Sequence, residues 1–149
     1  MTFKQKIKQQ HLVLLQDKID VYQDMISGLS EDAQNDAKGS AGDKHETALS
    51  MMHLEQEKLT NKLKETIVIK KKKKKIDDSK NSATIALGSY VTVNSMQLFI
   101  SAALPKISIE DVTVLSVSPQ SPLGSQLMGK KQGDIVVVNE NSFTIHQVI

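Results

Sequence analysis

Asp43 and Glu46 stand three residues apart immediately after Gly39-Ser40-Ala41-Gly42. At that spacing two carboxylates share one face of a first helical turn. Asp followed three residues later by Glu is also the layout of a capping box, in which both side chains satisfy free N–H groups at a helix start. Two roles are therefore open for the pair: capping a helix, or presenting anionic oxygens at the end of whatever the flanking segments build.

Those flanking segments carry two apolar seams. The first reads Leu12, Leu15, Ile19, Tyr22, Ile26, Leu29, Ala33, and the second reads His45, Leu49, Met52, Gln56, Leu59, Leu63, Thr66. Both step alternately by three and four, the spacing of coiled-coil helices. Pairing them outward from the glycines (33 with 45, 26 with 52, 22 with 56, 19 with 59, 12 with 66) makes every pair of numbers sum to 78. The pattern predicts one antiparallel helical hairpin over 1–69, with its tip near 39–46 and Tyr22 facing Gln56. Its first helix starts near Thr2 or Phe3 and runs past Ala33; its second ends near Thr66, before the β-branched Ile67-Val68-Ile69. An arm of about 26 residues rises roughly 40 Å, enough to carry two carboxylates into a narrow channel of another macromolecule.

The second candidate group is Lys70, Lys71, Lys72, Lys73, Lys74 and Lys75, an unbroken run. Residues 70–80 hold 7 Lys and 2 Asp, whereas residues 1–69 hold 9 Lys and 11 acids and residues 81–149 hold 3 Lys and 4 acids. The overall charge of +2 thus conceals one concentrated basic segment. It reads either as a solvated linker over 70–82 or as a surface for nucleic-acid phosphates, where each neutralised phosphate releases a counterion. Glu31, Asp32 and Asp36 read as a solvated acidic face. His11, His45, His53 and His146 show no ligand spacing and read as surface histidines, His45 alone lying near the tip. With no cysteine, disulfides, thiolate metal sites and a Cys nucleophile are excluded. No stretch approaches the ~20 apolar residues of a membrane span, and no apolar leader stands at the N-terminus. The expectation is a soluble, cytoplasmic protein.

Beyond the basic segment the period changes from helix to strand. Strands are expected over 85–93, 97–104, 112–117, 134–138 and 143–149, with Asn139-Glu140-Asn141 joining the last two as a hairpin. One short helix interrupts them: Ser121 caps, Pro122 takes the first turn, Leu123, Leu127 and Met128 supply an apolar face, and Gly129 stops it. The fold class is therefore α+β, a helical hairpin followed by a small β-sheet domain over 83–149 with one helix.

Three segments resemble the bacterial Gre transcript-cleavage elongation factors. Gly42-Asp43-Lys44-His45-Glu46-Thr47-Ala48 resembles the family's Gly-Asp-x-x-Glu-Asn-Ala tip motif. Leu87-Gly88-Ser89-Tyr90-Val91-Thr92-Val93 is similar to its first C-terminal strand. Ser118 through Asp134 is similar to its Ser-Pro, helix, Leu-hydrophobic-Gly-Lys and Gly-Asp sequence. The resemblance implies a coiled-coil hairpin followed by an FKBP-like domain that docks on RNA polymerase, here through Ser121, Pro122, Leu123, Gly129 and Lys130. The hairpin would enter the secondary channel, where Asp43 and Glu46 help hold the polymerase's Mg²⁺ and the attacking water during cleavage of backtracked RNA. Carboxylate oxygens suit that hard cation. The chain would be an accessory factor, monomeric and not itself an enzyme, with no cofactor or stable metal of its own. Nascent RNA and DNA of the transcription complex would be its further partners. Where the family has Asn and Tyr after the Glu, this sequence has Thr47 and Ser50, and its second arm is about two turns shorter. Other readings of the same residues are a channel-binding regulator that modulates or inhibits without cleavage, and a basic coiled-coil RNA-binding or scaffold protein. A prolyl isomerase, which would need an aromatic-lined pocket, has only Tyr90, Phe99 and Phe143 to draw on.

Overall fold

The computed structural model describes residues 1–37 and 43–149, the side chains of 33–37 and 43–46 excepted. Its elements are α1 (Phe3–Ala37), α2 (Asp43–Lys74), β1 (Tyr90–Val93), β2 (Met96–Ile100), β3 (Ile107–Ile109), β4 (Val112–Val117), α3 (Pro122–Leu127), β5 (Ile135–Val138) and β6 (Asn141–Val148). The architecture is the expected one, a helical hairpin followed by a small sheet domain with one helix. The chain divides into two compact units, Val13–Lys71, and Met1–Leu12 together with Lys72–Ile149.

Within Val13–Lys71 the helices are antiparallel and bury Leu15, Ile19, Leu59 and Thr66. These are seam positions, so the spacing identified the apolar faces correctly. The axial register differs. Gln56 Nε2 donates to Ser30 Oγ at 2.8 Å, and Lys70 Nζ donates to Gln16 Oε1. In the first bond the α1 partner lies eight residues C-terminal to Tyr22, which the pairing had placed opposite 56, and the second lies beyond the last expected pair, 12 with 66. Part of this offset is side-chain reach, because helical side chains lean toward the N-terminus of their own helix. The rest is physical ambiguity: sliding one helix by about a heptad presents an equally apolar stripe, so the repeat fixes the face and not the offset. The pair 33 with 45 falls outside the described residues.

Helix α2 also continues to Lys74 instead of ending near Thr66. Lysine is a good helix former, and cations are favoured in a last turn where carbonyls lack partners. Ile67-Val68-Ile69 costs only tenths of a kcal/mol per residue and is carried through.

The other unit is built on a six-stranded sheet in the order β3-β4-β2-β1-β6-β5. All neighbours are antiparallel except β2 and β4, which run parallel. The strand β3 was not anticipated, being only Ile107–Ile109, and β1 starts at Tyr90, five residues later than expected. Asn139 and Glu140 both have positive φ, closing the β5–β6 hairpin with the twist that adjacent antiparallel strands need. Ile85, Val91, Val93, Leu98, Ile100, Leu127, Val136 and Ile145 form the core, with Leu123 and Met128 packed against it. Lys4, Ile7 and His11, on one face of α1, are buried in this unit too. There Lys4 Nζ donates to the carbonyls of Lys80 at 2.7 Å and Ile149 at 3.3 Å, and Phe3 meets Tyr90 edge-on with ring centroids 5.1 Å apart.

Candidate functional site

Consecutive lysines on a helix cannot all face one way, because successive side chains turn by about 100°. One of the run points inward. That one is Lys73, which is 1% exposed. Its Nζ sits 4.2 Å from the centroid of the Phe99 ring and donates to Ser101 Oγ at 2.6 Å. Ser101 Oγ is 2.9 Å from Ser116 Oγ, and Ser116 donates to the Ala102 carbonyl. A ring face and a hydroxyl replace only part of the water an ammonium gives up. Burial, followed by the charge of Lys8, therefore pulls the Lys73 amine down to about 7.

His11 lies beside it, fully buried, its ring 6.1 Å from that of Phe99. Neither ring nitrogen has a hydrogen-bond partner among the described residues. Burial, then the charge of Lys73, pushes its pKa down to about 3, so the imidazole is neutral at ordinary pH. His11 is thus not the surface histidine that its sequence context suggested. Its position four residues after Ile7 and four before Leu15 was the available signal, since it continues the buried face of α1.

The remaining lysines divide plainly. Lys70 is half-buried and held by Gln16, whereas Lys71, Lys72, Lys74 and Lys75 are exposed. Five of the run lie in the helix rather than in a linker. Next to them Lys8 Nζ donates to the Ile76 carbonyl at 2.7 Å, where the chain leaves α2. The turn before β1 packs closely on Ile76, since Gly88 has φ +90° and a Cβ there would stand 2.7 Å from Ile76 Cγ2.

The residues assigned to docking sit around α3. Ser121 has extended backbone and is its N-cap; its Oγ accepts from Gly124 N at 3.0 Å and donates to the Ser118 carbonyl at 2.7 Å. Pro122 occupies the first turn and is exposed, and Leu123 is half-buried against the core. Gly129 has φ +80° and donates to the Ile85 carbonyl at 2.8 Å, while the Lys130 carbonyl accepts from Ile85 N at 2.7 Å. The Lys130 side chain is exposed. Sequence reasoning passed over Gly124, although a Cβ there would lie 1.9 Å from the Ser118 carbonyl oxygen. No side chain at 124 can coexist with the cap.

Asp43 is the first residue of α2, and Glu46 lies in its first turn. The side chains of both fall outside the described residues, as do residues 38–42. Among the described residues no group of three or more His, Asp or Glu is placed to hold a metal ion, and no helix is long and apolar enough to cross a membrane.

No protein-family model matches the sequence, and no curated protein sequence matches it. Among solved structures the chain is similar to the GreA factor homolog 1 (Gfh1) protein of Thermus thermophilus, at 14% identity over 93% of this chain and 94% of that one, with a TM-score of 0.37. It is similar to a structure of the transcription factor Gfh1 at 14% identity over 92% of both chains, with a TM-score of 0.36. A third likeness is to Thermus aquaticus Gfh1, at 14% identity over 90% of both chains, with a TM-score of 0.35. Likeness at this level leaves function to be argued from the residues.

Proposed function

We propose that this chain is a Gre-type transcription elongation factor. It docks on RNA polymerase through the sheet domain and places the loop between α1 and α2 in the secondary channel. Asp43 and Glu46 then lend carboxylate oxygens to the polymerase's Mg²⁺ while backtracked RNA is cleaved. The chain acts as a cytoplasmic monomer, is not an enzyme by itself and holds no metal alone. The observation that carries this reading is the coincidence of motif and element. Asp43, at the place the Gly42–Ala48 resemblance gives it, is the first described residue of α2, so the motif stands in sequence between a helix of 35 residues and one of 32. The second motif is consistent with it, since Ser121, Pro122 and Gly129 form the cap, first turn and stop of a real helix.

Thr47 and Ser50, which replace the family's Asn and Tyr, favour a second reading: a channel-binding regulator that does not promote cleavage. Both readings require polymerase binding. The test is the association of the full chain with core RNA polymerase, compared with Lys130→Glu. That side chain is exposed and only its backbone supports the fold, so the variant should melt with wild type yet bind about tenfold more weakly, roughly 1.4 kcal/mol. A wild-type chain that does not bind the polymerase would remove both readings.

A further inference from the structure

The lysine run has a face that the fold does not use. Lys73 points inward, and around the opposite half of the same helix end Lys72, Lys74 and Lys75 are exposed. None of the three side-chain ammonium groups has an ion-pair or hydrogen-bond partner among the described residues. Of the two acids that follow, Asp77 is already engaged: it accepts from Ser79 Oγ at 2.6 Å and lies 3.8 Å from Lys80. Lys8, on α1, donates to the Ile76 carbonyl. Helix capping explains one or two cations in a last turn. It does not explain three adjacent to a fourth, because Lys72 and Lys75 are like charges one turn apart and repel.

We infer that Lys72, Lys74 and Lys75 form a binding surface for the phosphate backbone of duplex nucleic acid, recognised by charge and not by sequence. Lysine is a compact point charge that meets phosphate without the forked geometry that reads base edges. Single strands are usually held by aromatic stacking as well. Here Phe99 is buried under Lys73, and Phe3 and Tyr90 are packed on one another. With phosphate contact alone, the higher charge density of a duplex wins over a single strand. Lys73 takes no part in this surface; it fastens the helix end to the sheet. The inference does not rest on polymerase binding.

The test uses the full chain and short DNA or RNA duplexes of unrelated sequence, with no polymerase present, so that its failure and that of the elongation-factor reading are separable. Three phosphate contacts give a slope of log affinity against log salt of about −2.7. The triple variant K72Q/K74Q/K75Q should lose most of that slope while melting as wild type does. Lys73→Met should keep the slope. Duplexes of different sequence should bind equally, and single strands of the same length more weakly. A slope unchanged in the triple variant overturns the assignment, as does preference for one sequence. Equal binding to poly-glutamate or to anionic lipid vesicles overturns it as well, returning the surface to an acidic protein or a membrane.

Discussion

The two compact units are held together in different ways. In Val13–Lys71 two helices share one seam, with Leu15, Ile19, Leu59 and Thr66 buried and polar bonds such as Gln56 to Ser30 across it. In the sheet unit the core residues on strands are fixed along the strand by ladder bonds and across it by neighbours on one face, as Val91 is between Leu98 and Val148. A one-residue slip in a sheet turns the whole apolar set outward, whereas a slip of a heptad in a helix pair leaves it inward. The sheet is therefore the rigid, unforgiving part of the molecule, and the helix pair the tolerant one.

That contrast is broken or sharpened by substitutions of the same kind in both units. The largest loss of stability from a substitution belongs to Gly124→Ala. Its Cβ would stand 1.9 Å from a backbone oxygen that cannot move without dismantling the Ser121 cap, so denaturant unfolding should show a loss of about 3 kcal/mol or more. A loss below about 1 kcal/mol would show the sheet unit to be as forgiving as the helices.

The pH dependence of stability comes next. The Lys73 amine titrates at about 7 in the folded chain and near 10.5 when unfolded. Between those values the unfolded chain holds the extra proton, so stability falls as pH is lowered from 10.5 to 7 and this contribution is constant below. For His11 the window runs from 6.5 down to about 3, with the same sign. Each contributes up to about 1.4 kcal/mol per pH unit within its window. Lys73→Met should flatten the upper window and His11→Leu the lower, read as denaturation midpoints against pH. Unchanged profiles would mean that these groups are hydrated in the native protein.

The smallest effect has the opposite sign. Gly28 lies inside α1 with nothing within 4 Å of a Cβ built there. Gly28→Ala should stabilise the chain by about 0.5–1 kcal/mol, seen as a higher melting temperature; destabilisation would place the helix pair under packing constraints like those of the sheet.

The sequence made legible whatever depends on local chemistry. Ser121, Pro122 and Gly129 announce a capped helix because cap, ring and positive φ each demand particular residues. The helical faces were readable from Leu15, Ile19 and Leu59 by period alone. The offset between helices was not, because Ser30 and Gln16 are ordinary polar residues until a partner reaches them. The buried cluster was hidden for a related reason: Lys73 looks identical to its five neighbours, and only the approach of Phe99 and Ser101 from distant strands singles it out. A three-residue strand such as β3 carries too little pattern to declare itself. Asp43 and Glu46 are the converse case, explicit in sequence while their side chains lie outside the described residues.

Cleavage stimulation turns on those two acids. Asp43→Asn keeps a competent N-cap and Glu46→Gln keeps the capping-box reach, but each removes an anionic oxygen that Mg²⁺ prefers. The direct measurement is RNA cleavage in stalled, backtracked RNA polymerase complexes supplied with wild type or either variant. Wild type should stimulate cleavage and both variants should lose that stimulation, with polymerase binding and melting temperature unchanged. No stimulation by wild type, or full stimulation by both variants, would contradict this.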